Sequence, residues 1–144
     1  MLKIIPIIIF IWLPSCSFIG DTTYGAKHLS AQDVQALKEA TSDWNRACGL
    51  ELKTVLNNTG DVYIIRTKFP INCNSKSAIG CTHSINSEAK FIEIASEPGF
   101  ATRQTLAHEI GHSLGLKHKN YGIMRPEVPV EKGQIVSIKD CGDW

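Results

Sequence analysis

One stretch near the C-terminal end carries most of the residues that could do chemistry: His108-Glu109-Ile110-Gly111-His112-Ser113-Leu114-Gly115-Leu116-Lys117-His118. On an α-helix, residues four apart share a face and lie about 6 Å apart along the axis. His108 and His112 can therefore direct their imidazoles at one point. Glu109 sits one step round the helix, where its carboxylate can border that point without ligating it. Gly115 accepts the left-handed conformation that ends a helix, and the returning chain can deliver His118. Three neutral imidazoles suit Zn²⁺, and three protein ligands leave a fourth position to water. A metal so held lowers the pKa of its water from about 15.7 to about 7. A carboxylate beside it can take the proton as the water attacks a carbonyl. The competing reading is an amphipathic core helix whose histidines are incidental. It must place three His, one Glu and two Gly at these spacings without a role, in a chain where only His28 and His83 lie elsewhere.

The spacing H-E-x-x-H-x-x-G-x-x-H resembles the extended signature of the metzincin zinc endopeptidases, in which a methionine-containing turn follows the third histidine. Here the turn is Tyr121-Gly122-Ile123-Met124-Arg125-Pro126. The resemblance implies roles residue by residue. His108, His112 and His118 would hold one Zn²⁺. Glu109 would be the general base that activates the zinc-bound water and carries the proton to the leaving amine. Met124 would form an apolar floor under the ligands.

The order of elements resembles the matrixin-like branch over roughly residues 30–126. Its echoes are Asp61-Val62-Tyr63-Ile64 in an inner strand, Ile79-Gly80 in an edge strand, and Gly111 with Leu114-Gly115-Leu116 in the zinc helix. That implies an α+β metzincin-like (zincin) domain. It would have a twisted, mostly parallel sheet, a long N-terminal helix, an active-site helix and a small C-terminal subdomain. A protein or peptide substrate would bind extended, adding a strand at the edge near Ala78–His83. The chain departs from related branches in two places. Pro126, not tyrosine, stands two residues after Met124. Tyr121 precedes the Met, where it reads either as an oxyanion donor or as a turn aromatic.

The elements that must position this site read as follows. Ser30 can cap a helix running to about Cys48, with Asp33 in its first turn. Val34, Leu37, Thr41, Trp44 and Cys48 form its packing stripe. Strands are expected at Leu50–Leu56, Asp61–Lys68, Ala78–His83 and Lys90–Ala95, and a polar loop at 71–77. A Pro98-Gly99 turn precedes the zinc helix, which starts near Thr102. On that helix Leu106, Ile110 and Leu114 point away from the histidine face, so one side is core and the other faces a cleft. The tail, Glu127 to Trp144, has room for a helical turn around Ile135–Lys139. His28 and His83 read as surface histidines.

At 144 residues, 43% hydrophobic and 20% charged, the chain has the composition of one ordinary globular domain. A formal charge of +1 gives no sign of a nucleic-acid partner, and a monomer is expected. Residues 1–15 read as a signal peptide: Lys3 supplies the positive region, and Ile4 to Leu13 an apolar stretch too short to span a bilayer. Leu13-Pro14-Ser15-Cys16 resembles a bacterial lipobox, which implies a lipoprotein anchored to the membrane of the cell envelope through Cys16. Ordinary cleavage and secretion is the alternative. Residues 16–29 then read as a tether, or else as a segment folded onto the domain, and 30–144 as the peptidase domain. With Cys16 lipidated, four cysteines remain in an oxidising setting. Cys73–Cys81 and Cys48–Cys141 are the expected disulfides, with free thiols as the alternative. A structural Ca²⁺ held by carbonyls leaves no signature here.

Three functional classes share these features. The first is an exported zinc endopeptidase. The second is a zinc amidase acting on a non-protein or cell-wall amide. The third is a non-catalytic surface lipoprotein that binds a partner. A pure binding module has no use for Glu109 beside the metal.

Overall fold

A computed structural model describes residues 21–26, 28–57, 59–68, 71, 73, 78–86, 88–95, 102–126 and 135–142. Residues 1–15 (expected as a signal peptide), Cys16, the expected Pro98-Gly99 turn, residues 127–134 and Trp144 lie outside these. The described elements are β1 (Thr23–Gly25), α1 (Ala31–Cys48), β2 (Lys53–Val55), β3 (Val62–Thr67), β4 (Gly80–Ile85), β5 (Glu88–Ala95) and α2 (Thr102–Ser113). The strands form one sheet in the order β2-β1-β3-β5-β4. Every pairing is parallel except that of β4 with β5. The expected mostly parallel α+β plan is therefore present, with one antiparallel strand at the edge.

The tether expected over 16–29 is corrected in its described part. Thr23–Gly25 is a strand inserted between β2 and β3. Its small polar composition hid one decisive residue, Tyr24, which is fully buried and hydrogen-bonded through its hydroxyl to Ser113 Oγ at 2.7 Å. The Asp61 carboxylate accepts from the Thr23 N–H and hydroxyl at 2.8 and 2.7 Å. The segment thus folds onto the domain, the second of the two readings open for it.

Helix α1 begins where Ser30 predicts. The Asp33 N–H donates to Ser30 Oγ at 3.2 Å, satisfying one of the open donors of the first turn. Leu37, Thr41 and Trp44 are buried as expected, and so are Asp33, Ala40 and Asp43. The two buried carboxylates tie the helix to its neighbours. Arg66 on β3 grips Asp33 through Nε and Nη2 at 2.8 and 2.6 Å, and Arg103 on α2 grips Asp43 at 2.7–2.9 Å. Trp44 adds an indole N–H bond to the Ala107 carbonyl of α2 at 2.8 Å.

The main core gathers Tyr24, Leu37, Trp44, Val62, Ile64, Ile92 and Ile94 with Leu106 and Ile110 of α2. Both expected disulfides are present. Cys48–Cys141 joins the end of α1 to the C-terminal segment across 93 residues. Cys73–Cys81 closes a short loop onto β4, where Ile71, Ile79 and Ala95 form a satellite core around it.

Candidate metal centre

Helix α2 carries the site, and its end is built by glycine. Gly115 has φ +90°. The Gly115 N–H donates to His112 O and the Leu116 N–H to Gly111 O, both at 3.0 Å, the paired bonds of a Schellman cap. The chain then reverses and brings His118 back over the helix. The structure places all three histidines together, with their ligand atoms within 4.8 Å of one another. His112 Nε2 lies 3.0 Å from His108 Nε2 and 3.1 Å from His118 Nε2. His108 is buried, His112 half-buried and His118 exposed, so the centre opens to solvent on the His118 side.

The hydrogen bonds fix two of the tautomers. His108 Nδ1 lies 2.7 Å from the Ile123 carbonyl, and His112 Nδ1 lies 2.8 Å from the Leu116 carbonyl. A carbonyl has no proton to give, so each Nδ1 carries one and each Nε2 presents a lone pair. Two bare lone pairs 3.0 Å apart repel unless a cation lies between them. Tetrahedral Zn²⁺ bound at about 2.0–2.1 Å spaces its nitrogens at about 3.3 Å, close to what is found. Burial pushes the His108 imidazole down to about 4, opposed by its bond to Ile123 and reinforced by the other two histidines. Burial also lowers His112, opposed by its bond to Leu116. Both are thus held neutral, the form a metal needs. The donor set fits Zn²⁺, with His108, His112 and His118 as the residues that would hold it.

The turn after His118 supports the ligands from below. Met124 is fully buried, and its thioether occupies the space where a side chain at Gly111 would stand. Gly111 lies between His108 and His112 on α2, so the methionine reaches the underside of the ligand-bearing turn. Ile123 is held at both ends: its carbonyl accepts from His108, and its N–H donates to Asp140 Oδ1 at 2.9 Å. Asp140 is fully buried, and its other oxygen accepts from the Ser137 N–H and hydroxyl, both at 2.9 Å. The neighbouring Cys141 is pinned to α1 by its disulfide. Tyr121 is 48% exposed and lies under the Lys119 ammonium, 5.5 Å from the ring centroid, which favours the turn-aromatic reading.

Glu109 lies on the opposite flank, 5% exposed, facing the edge strand. Thr82 Oγ1 on β4 is 2.7 Å from Glu109 Oε2 and 2.9 Å from the Glu109 carbonyl. A side chain at Gly80 would meet Glu109 Oε1 at 2.7 Å, so only glycine lets the carboxylate lie against the strand here. Burial pushes the Glu109 carboxyl up to about 7, against the pull of the Thr82 hydrogen bonds. A dication beside it would draw that value down again. His83 points to the other face of the sheet. It pairs with Glu93 at 2.6 Å and stacks on Phe91, so it is apart from the centre, as expected. Thr82 and Asp140 were not legible as site residues. The only signal was period-two alternation, which places Gly80 and Thr82 on one face of β4.

The fold and site define a class: an α+β domain whose last described helix carries two of three convergent histidines beside a buried glutamate. Residues 21–119 match the family model described as metallo-peptidase family M12B, reprolysin-like, and the chain belongs to that family. The match starts with β1, in agreement with its place inside the sheet. No curated protein matches the chain significantly.

Proposed function

We propose that the chain is a zinc-dependent endopeptidase, built on a matrixin-like minimal plan. The observation that carries this is the convergence of three Nε2 atoms, two of them fixed as lone-pair donors by backbone carbonyls. When bound, Zn²⁺ supplies a Lewis acid for the scissile carbonyl and an acidified water as nucleophile. Glu109 accepts the proton of the attacking water and passes it to the leaving amine. Burial raises the Glu109 carboxyl and so offsets part of the dication's downward pull, which lets the group both take and return a proton. The outer edge of β4 is the last in the sheet, so a protein or peptide substrate would add to it as an antiparallel or parallel strand. In this reading the protein is exported to the bacterial cell envelope, anchored through Cys16, and monomeric.

The test is to load the purified chain with Zn²⁺ and incubate it with a mixed library of internally quenched peptides, with and without chelator. Cleavage that chelator abolishes and Zn²⁺ restores is expected. Release of fragments from cell-wall amides but not from peptides would replace the endopeptidase with the amidase. Zinc binding with neither activity would leave a metal-holding binding module.

A further inference from the structure

We propose that Thr82 is a positioning residue for Glu109: its hydroxyl holds the carboxylate against the edge strand along which a substrate would lie. The proposal rests on the reading of Glu109 as general base and names what keeps it in place. The Thr82 hydroxyl donates to that carboxylate at 2.7 Å, and the Thr82 backbone hydrogen-bonds to it as well. The second contact, to the Glu109 carbonyl at 2.9 Å, is one that a helical carbonyl can spare, since it ordinarily accepts the N–H four residues on. Removing the hydroxyl therefore falls chiefly on the buried carboxylate.

The neighbouring positions are shaped for the same contact. Gly80, two residues before Thr82 and on the same face of β4, leaves room for Glu109 Oε1 and Cγ, and a side chain there would also strike the Thr105 methyl. The carboxylate is thus held between a bare backbone and a hydroxyl on one strand. Strand β4 would thus do two jobs: receive substrate on its edge and aim the base from its helix-facing side.

The experiment compares zinc-loaded parent, Thr82→Val, Thr82→Ala and Thr82→Ser on the quenched peptides, with zinc affinity measured for each. A hydrogen bond to a charged group of this kind predicts a kcat about tenfold or more lower in Thr82→Val. KM should stay within about twofold, zinc affinity should be unchanged, and serine should recover most of the kcat. Thr82→Ala serves if the valine chain does not fold. A kcat within about twofold of the parent, a loss carried by KM, or a loss that serine does not recover overturns the proposal. If the parent itself cleaves nothing, the hydrolase reading fails, and Thr82 is judged on crystal structures of the zinc-loaded chains. A carboxylate displaced from β4 in Thr82→Val and returned in Thr82→Ser supports positioning; a carboxylate left in place in the valine chain overturns it.

Discussion

Glu109 is where burial and chemistry meet at the scale of one residue. Its carboxyl is almost fully enclosed, and enclosure pushes it up to about 7. A carboxylate so enclosed costs stability unless it is hydrogen-bonded or paired, and Thr82 supplies such a bond. Glu109→Gln separates the two roles. The amide keeps the shape, its oxygen can still accept from Thr82, and the histidines are untouched. Zinc content should therefore equal that of the parent, while turnover on the quenched peptides falls by about 10²–10⁴-fold, the usual worth of a positioned general base. Equal turnover would mean that another group moves the proton. His108, His112 and Glu109 were readable because a helix converts sequence spacing directly into positions around its axis, and His118 because Gly115 marks where the helix ends and the chain turns back. Thr82 and Asp140 were not, because their partners lie 27 and 17 residues away. Nothing in local spacing announces a contact that only tertiary folding creates.

Elements position these residues by meeting α2 from three sides. α1 packs through Trp44, β4 through Gly80 and Thr82, and the methionine turn through Met124. Gly111 is the point where two of these meet. A side chain there would collide with the Met124 thioether and come within 3.0 Å of the Trp44 ring. In Gly111→Ala two effects oppose. Alanine favours a helix interior over glycine by about 1 kcal/mol, while overpacking a filled core costs about 1–3 kcal/mol. The collision should win, because Trp44 is locked by its bond to Ala107 and Met124 is fully buried. Chemical unfolding should show a net loss of up to about 2 kcal/mol. Zinc should also be held less tightly, since Met124 is fully buried and a shift of its turn carries the Ile123 carbonyl that orients His108. An unchanged midpoint and zinc affinity would show that the turn adapts freely. Helix and strand existence were legible here from hydrophobic periodicity. β1 was not, because three residues are too few to show a period and its pairing partners are distant in sequence.

The molecule as a whole is stapled at the periphery of its core. Cys48–Cys141 closes a loop of 93 residues, for which chain-entropy reasoning gives a stabilisation of about 4–5 kcal/mol. Cys73–Cys81 and the two arginine clamps add local ties. Of the clamps, Asp33–Arg66 links the start of α1 to the sheet, and Arg66 also donates to the Ala95 carbonyl at the end of β5. This clamp gives the fold a readable acid response. The Arg66 hydrogen bonds hold the Asp33 carboxyl below its usual range; burial opposes this and Ser30 assists. A carboxyl depressed in the folded state contributes stability that is fully present above its unfolded value of about 3.9. That contribution fades as pH falls through the folded value, where the native carboxylate also takes up its proton. Asp33→Asn removes the charge and leaves Arg66 partly buried without it, at a cost of about 2–3 kcal/mol near neutrality. The gap between parent and variant, measured by denaturant unfolding, should stay level from pH 7 to about pH 5. It should begin to narrow near pH 4 and close further toward pH 2. A gap that is flat across the whole range would mean that the clamp acts through shape alone. One that widens on acidification would place the dominant proton uptake on another group.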